Sequence, residues 1–183
     1  MAMKRLLTVG ALLALSGMIG VQGAAAQDDA AMIKSAEAAA PAAVSSGAAI
    51  YAMDDKGAMR TLREGTNGWW CMPDGTLSPG PDPMCGDANS MEWLMALVAK
   101  KEPPEGKIGF VYMLMGGSDG SNTDPFAMEP APGEEWVSTA PHVMIVNAPD
   151  MMQGYPMDAK PDTATPYVMY ANTPYAHLMI PVE

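Results

Sequence analysis

Positive charge is scarce in this sequence. Its 183 residues include 10 Lys and Arg against 21 Asp and Glu, a net charge of −11. Nucleic-acid phosphates are repelled by such a balance, so the composition argues against a nucleic-acid partner. Cysteine is confined to Cys71 and Cys85, and histidine to His142 and His177. No His-Glu-x-x-His pair occurs, so the common zinc-hydrolase signature is missing. No repeat of solenoid length is present. The apolar stretch from Leu6 to Val21 is broken by Gly10, Gly17 and Gly20, and at roughly 16 residues it is short for a membrane span. Hydrophobic residues still make up 49% of the chain, which excludes a disordered acidic tail.

That apolar stretch reads as an address. Lys4 and Arg5 precede it, and Ala24-Ala25-Ala26 supplies the small-x-small pattern for cleavage before the polar Gln27-Asp28-Asp29. Residues 1–26 are therefore expected to be a secretory signal peptide. No cysteine follows the stretch, so a lipid anchor is not expected. The expected product is exported and acidic, periplasmic or extracellular, with no integral membrane segment in the mature chain. In an oxidising compartment Cys71 and Cys85 are expected to form a disulfide. Met72 to Met84, between them, is nearly all turn residues. Catalytic redox pairs sit two residues apart, so a structural staple is the better reading.

Residues 27–47 are Ala-rich and interrupted by Pro41, and are expected to form a flexible leader. Residues 48–183 are expected to form one globular domain. Strand character at 49–53, 58–63 and 69–72, with turns at 54–57 and 64–68, predicts an antiparallel meander. A helix follows, with Asn89 as cap, Glu92 completing the capping box, and Met91, Leu94, Met95 and Val98 on its apolar face. Further strands are expected at 108–115, 142–147, 167–170 and 177–182. Residues 116–140 read as a long polar connection in which Asp124-Pro125 starts a short helix. The expected fold is α+β: a mainly antiparallel sheet of about six short strands, one packed helix, and long Pro/Gly-rich loops.

The most unusual local pattern occurs twice. His142-Val143-Met144 and His177-Leu178-Met179 each place His and Met two apart in a strand, hence on one face. Should those strands be neighbours, the pairs would converge on a His2Met2 set, whose thioethers select Cu(I). The bland alternative is that the methionines, part of a total of 19, are adaptable core filler. A weaker lead is Asp119, Asn122 and Asp124 in a Gly-rich loop, oxygen donors that suit calcium without matching EF-hand spacing. Trp69 and Trp70 must point to opposite sides if extended, so one of them is a candidate ligand contact beside the disulfide loop.

Three readings of function follow. The first is an exported binding or accessory protein, with copper as the sharpest candidate ligand and calcium a weaker one; its partner is a small molecule, a metal or a cell-envelope protein. The second is a secreted hydrolase using His142 or His177 with a serine such as Ser118 or Ser121. The third is a purely structural module of the cell envelope. With no His-Glu-x-x-His motif, and no free thiol once Cys71 and Cys85 are bonded, the reading leans away from an enzyme.

Overall fold

The computed structural model describes residues 20–53, 58–75 and 78–182. The basic start and most of the apolar stretch of the expected signal peptide, and the turn expected at 54–57, lie outside the described residues. In chain order the elements are α1 (Gly20–Glu37), α2 (Ala42–Ser45), β1 (Ala49–Met53), β2 (Met59–Arg63), β3 (Trp70–Met72), β4 (Met84–Gly86), α3 (Ala88–Val98) and β5 (Gly109–Met113). There follow β6 (Gly117–Asp119), β7 (Val137–Thr139), β8 (His142–Val146), a 3-10 turn (Pro149–Met152), β9 (Tyr167–Met169) and β10 (His177–Pro181).

The fold is mixed α+β with a mostly antiparallel sheet. That sheet has 8 strands rather than about six, in the order β2-β1-β3-β4-β5-β8-β10-β9, and β6 pairs with β7 in a hairpin of its own. Strands β4, β6 and β7 have 3 residues each, too short for an alternating pattern to register in the sequence. The expected meander is also corrected. β2 runs antiparallel to β1, but β3 pairs with β1 in parallel on its other side. Arg63 at the end of β2 lies opposite Ile50, so a short connection delivers β3 to the start of β1 and obliges it to run the same way.

The Ala-rich segment, expected to be a flexible leader, is instead helical and packed. Ala36, Ala39 and Ala40 are buried with Ile50, Cys71 and Cys85, because methyl side chains let α1 lie close to the back of the sheet. Arg63 fastens the arrangement. Its guanidinium pairs with Glu37 and donates to the carbonyls of Ser45 and Ala48.

Helix α3 also departs from expectation. Its cap is Asp87, whose Oδ1 accepts from the Ser90 amide at 2.8 Å, while Asn89 reaches across to the Ile108 carbonyl. The buried positions are Ser90 and Trp93, with Leu94 and Leu97 partly covered; Met95 and Val98 are exposed. The reason is close approach. A Cβ on Gly109 would sit 2.5 Å from the Ser90 amide nitrogen, so the helix turns a small residue rather than Met91 toward β5. Asp124 starts no helix; its Oδ1 accepts from the Phe126 amide in a local turn.

Three layers result. Trp93 of α3 packs over Val111, Met144, Met169 and Met179 on the front of the sheet. Behind it, α1 covers one half, and Met152 of the 3-10 turn packs with Ile145, Val168 and Leu178 on the other. Among the described residues, no helix is long and apolar enough to cross a membrane. Cys71 and Cys85 are bonded and directly opposite in β3 and β4. Replacing both by alanine is expected to cost about 3 kcal/mol for a loop of this length. Urea unfolding with and without the bridge checks this; an unchanged midpoint would show that α1 and the strand pairing hold the loop unaided.

Candidate functional site

The strand register decides how the two His-x-Met pairs meet. β10 runs antiparallel to β8 with Met179 opposite Met144, so the pairs converge through their methionines. The histidines fall at diagonal ends, His142 opposite Pro181 and His177 opposite Val146. Each has a further methionine beside it, Met113 of β5 opposite His142 and Met169 of β9 opposite His177. Imidazoles and thioethers therefore run in one diagonal stripe across the front face. Along the strands the histidine Cα atoms are about 13 Å apart, a span the rings and the methionines between them must fill.

Both rings are held in the same way. His142 Nδ1 lies 2.8 Å from the carbonyl oxygen of Ala140, and His177 Nδ1 lies 3.0 Å from that of Tyr175. A carbonyl oxygen can only accept, so Nδ1 carries the proton in each ring. Nε2 is then left as a bare lone pair on the far side of the ring. Both Nε2 atoms are buried and without a hydrogen-bond partner. Such orphans are uncommon in native interiors and call for an explanation. Both histidines line a cavity of about 130 Å³, together with Met113, Met144, Met169 and Met179. Trp93 and Tyr170 set ring edges against His177, with centroids at 5.2 Å and 5.3 Å. Burial holds both imidazoles neutral, lowering His142 below its ordinary value and His177 to about 4.

One polar wall comes from β6. A Cβ on Gly117 would lie 2.9 Å from Met113 Cε and 3.5 Å from His142 Cε1, so the chain passes close to that end of the stripe. Two residues on, Asp119 accepts from the Tyr170 hydroxyl at 3.0 Å. Asp119 keeps some contact with solvent, yet its carboxyl is enclosed enough for desolvation to push it up to about 6. Asp82 of the disulfide loop lines the same cavity. Tyr170 leaves β9 with φ at 55°, an uncommon left-handed backbone for a bulky residue, and its amide donates to the Asn122 carbonyl at 2.7 Å.

The other expected candidates are placed apart from one another. Asn122 is a buried brace whose Nδ2 donates to the carbonyls of Asp158 and Val168, Asp119 bonds Tyr170, and Asp124 is engaged with Phe126. These three do not gather as oxygen ligands. Trp70 is buried on the front face and donates to the Asp87 carbonyl, while Trp69 packs against Tyr112 on the back. Ser118 pairs with Ser138, and Ser121 with Thr123. Among the described residues no hydrogen bond joins a histidine to a serine or a carboxylate. Nor do three His, Cys, Asp or Glu side chains there form a metal-holding group. What the cavity offers is imidazole and thioether, a soft donor set.

No family model, curated protein or solved structure matches the chain. Local spacing singles out His142, Met144, His177 and Met179, whereas Met113 and Met169 come beside the histidines only through strand pairing. The strand order that brings them beside the histidines is not written in local spacing. Asp119 was read as a member of a loop cluster, and its position on the cavity wall depends on the short β6–β7 pairing.

Nitrogen NMR of the imidazoles checks the assigned state. At pH 7 both rings are expected as the Nδ1–H tautomer, with His177 titrating near pH 4; an Nε2–H tautomer would contradict the hydrogen-bond assignment. The lowered His177 also acts on stability. The unfolded chain takes up this proton first, so the contribution is intact above pH 6.5 and is withdrawn, by about 3 kcal/mol, as pH falls toward 4. Asp119 works in the opposite direction over part of that window, because its raised folded-state value favours the folded chain as pH falls below 6.

Proposed function

We propose that this is an exported accessory protein that binds a soft metal ion, Cu(I), through the Nε2 atoms of His142 and His177 and the thioethers of Met144 and Met179 between them. The observation that carries this reading is the pair of buried, unpartnered Nε2 atoms on one cavity. A hydrogen bond from Nδ1–H to a backbone carbonyl is the arrangement that metal-ligating histidines ordinarily have, because it fixes the tautomer and aims the other nitrogen. Thioethers suit a soft ion and are stable where thiols are oxidised. Met113 and Met169 lie beside the two histidines and extend the donor set.

Export rests on the basic start, the apolar stretch and the Ala24-Ala25-Ala26 cleavage pattern, and the Cys71–Cys85 disulfide fits an oxidising compartment. The acidic surface favours cations near the protein.

Anaerobic native mass spectrometry with limiting Cu(I) and a competing chelator tests the reading. The wild type is expected to retain one ion, and the His142→Ala/His177→Ala variant to retain none. Met144→Leu/Met179→Leu, which keeps volume and removes sulfur, is expected to weaken retention while leaving the fold intact. Equal retention by wild type and the histidine variant, or none by either, would contradict the reading.

A further inference from the structure

Resting on the metal reading above, a second question is what balances the ion's charge. Neutral imidazoles and thioethers bring no charge of their own, so a cation among them carries its full charge into a poorly solvated cavity. Such a charge is costly unless an opposite one stands nearby. Asp119 lines the cavity, and its one described side-chain partner is the neutral Tyr170 hydroxyl. Four of the basic groups pair with other carboxylates, Arg60 with Asp29, Arg63 with Glu37, Lys107 with Glu92 and Lys160 with Glu134, and Lys100 stands over the Phe126 ring. Among the described residues none pairs with Asp119. Asp82, on the same wall, is already tied into the disulfide loop by Ser78 and the Gly75 amide.

We infer that Asp119 supplies the counter-charge for the cation held at His142 and His177. The groups facing Asp119 fit the role: Tyr170 donates to the carboxylate, and Asp82 and Tyr167 add no positive charge. Tyr167 is itself held neutral, pushed up to about 12 by burial, with its hydroxyl paired to Thr139 at 2.7 Å.

The experiment is calorimetric titration of the purified chain with silver(I), an air-stable stand-in for Cu(I), at pH 5 and pH 8. Two buffers of different ionisation enthalpy count the protons released. Asp119→Asn preserves shape and removes charge. It is expected to keep the one-ion stoichiometry while silver(I) affinity at pH 8 falls by about tenfold to a hundredfold, as for loss of a charge a few ångströms away in a partly buried site. Asp82→Asn is expected to lower affinity less than Asp119→Asn does, since the Asp82 carboxylate already accepts from two donors of its own loop, the Ser78 hydroxyl and the Gly75 amide. At pH 5 the wild type is expected to release about one proton per ion more than Asp119→Asn, and at pH 8 the two should release the same.

Equal affinity and equal proton release in wild type and Asp119→Asn, with the double-histidine variant silent, would overturn the counter-charge while leaving the metal reading standing. No silver(I) uptake by the wild type would overturn both. Should Asp119→Asn fail to fold, the wild type decides alone: identical proton release at pH 5 and pH 8 would overturn the inference.

Discussion

Each histidine in this protein is fixed by one hydrogen bond, from its Nδ1 to the carbonyl two residues earlier, and the character of the cavity depends on it. The bond sets the tautomer, turns the bare nitrogen away from the backbone, and leaves it inside a wall of thioethers. Without a ligand, two buried acceptors go unpaired, at a cost of about 1–3 kcal/mol each. A core built only for stability would have no use for them: leucine would fill the same volume without the penalty. That cost is the reason to read the stripe as a site rather than as packing.

The rest of the fold holds the stripe in place from several directions. α3 brings Trp93 down onto it, which requires Ser90 to slide over Gly109. The disulfide joins β3 and β4 directly across the ladder, so that β4 presents Met84 and the loop before it presents Asp82 to the cavity wall. Behind the sheet, α1 and Arg63 stiffen the half that carries the disulfide. The β6–β7 hairpin supplies the polar side, with Gly117 near His142 and Asp119 on Tyr170.

Much of this was legible in local pattern, and the exceptions share a cause. The strands carrying His142, Tyr167 and His177 were readable because each holds a run of β-branched, aromatic or long apolar residues with turn residues on either side. So was the sharing of a face by each His and its Met, since a strand alternates by two. The neighbouring of β8 and β10, and the diagonal placing of the histidines, follow from pairing register, which spacing along one strand does not encode. Trp93 was passed over as a buried position because the helix face was reckoned from Met91 and Met95, whereas the backbone contact at Gly109 selects the face through Ser90. Ala36 and Ala39 were mistaken for a leader because alanine shows little hydrophobic period, although its small size is what allows the helix to lie close. Asp119 escaped notice as part of a cavity because strands of 3 residues leave no pattern to read.

The most direct test of the account is X-ray absorption at the copper edge on the Cu(I)-loaded chain, with His142→Ala and His177→Ala measured singly. The account predicts imidazole-type scattering together with a sulfur shell, and loss of part of the imidazole signal in each single variant. A shell of light atoms without sulfur, or a spectrum indifferent to both histidines, would contradict it.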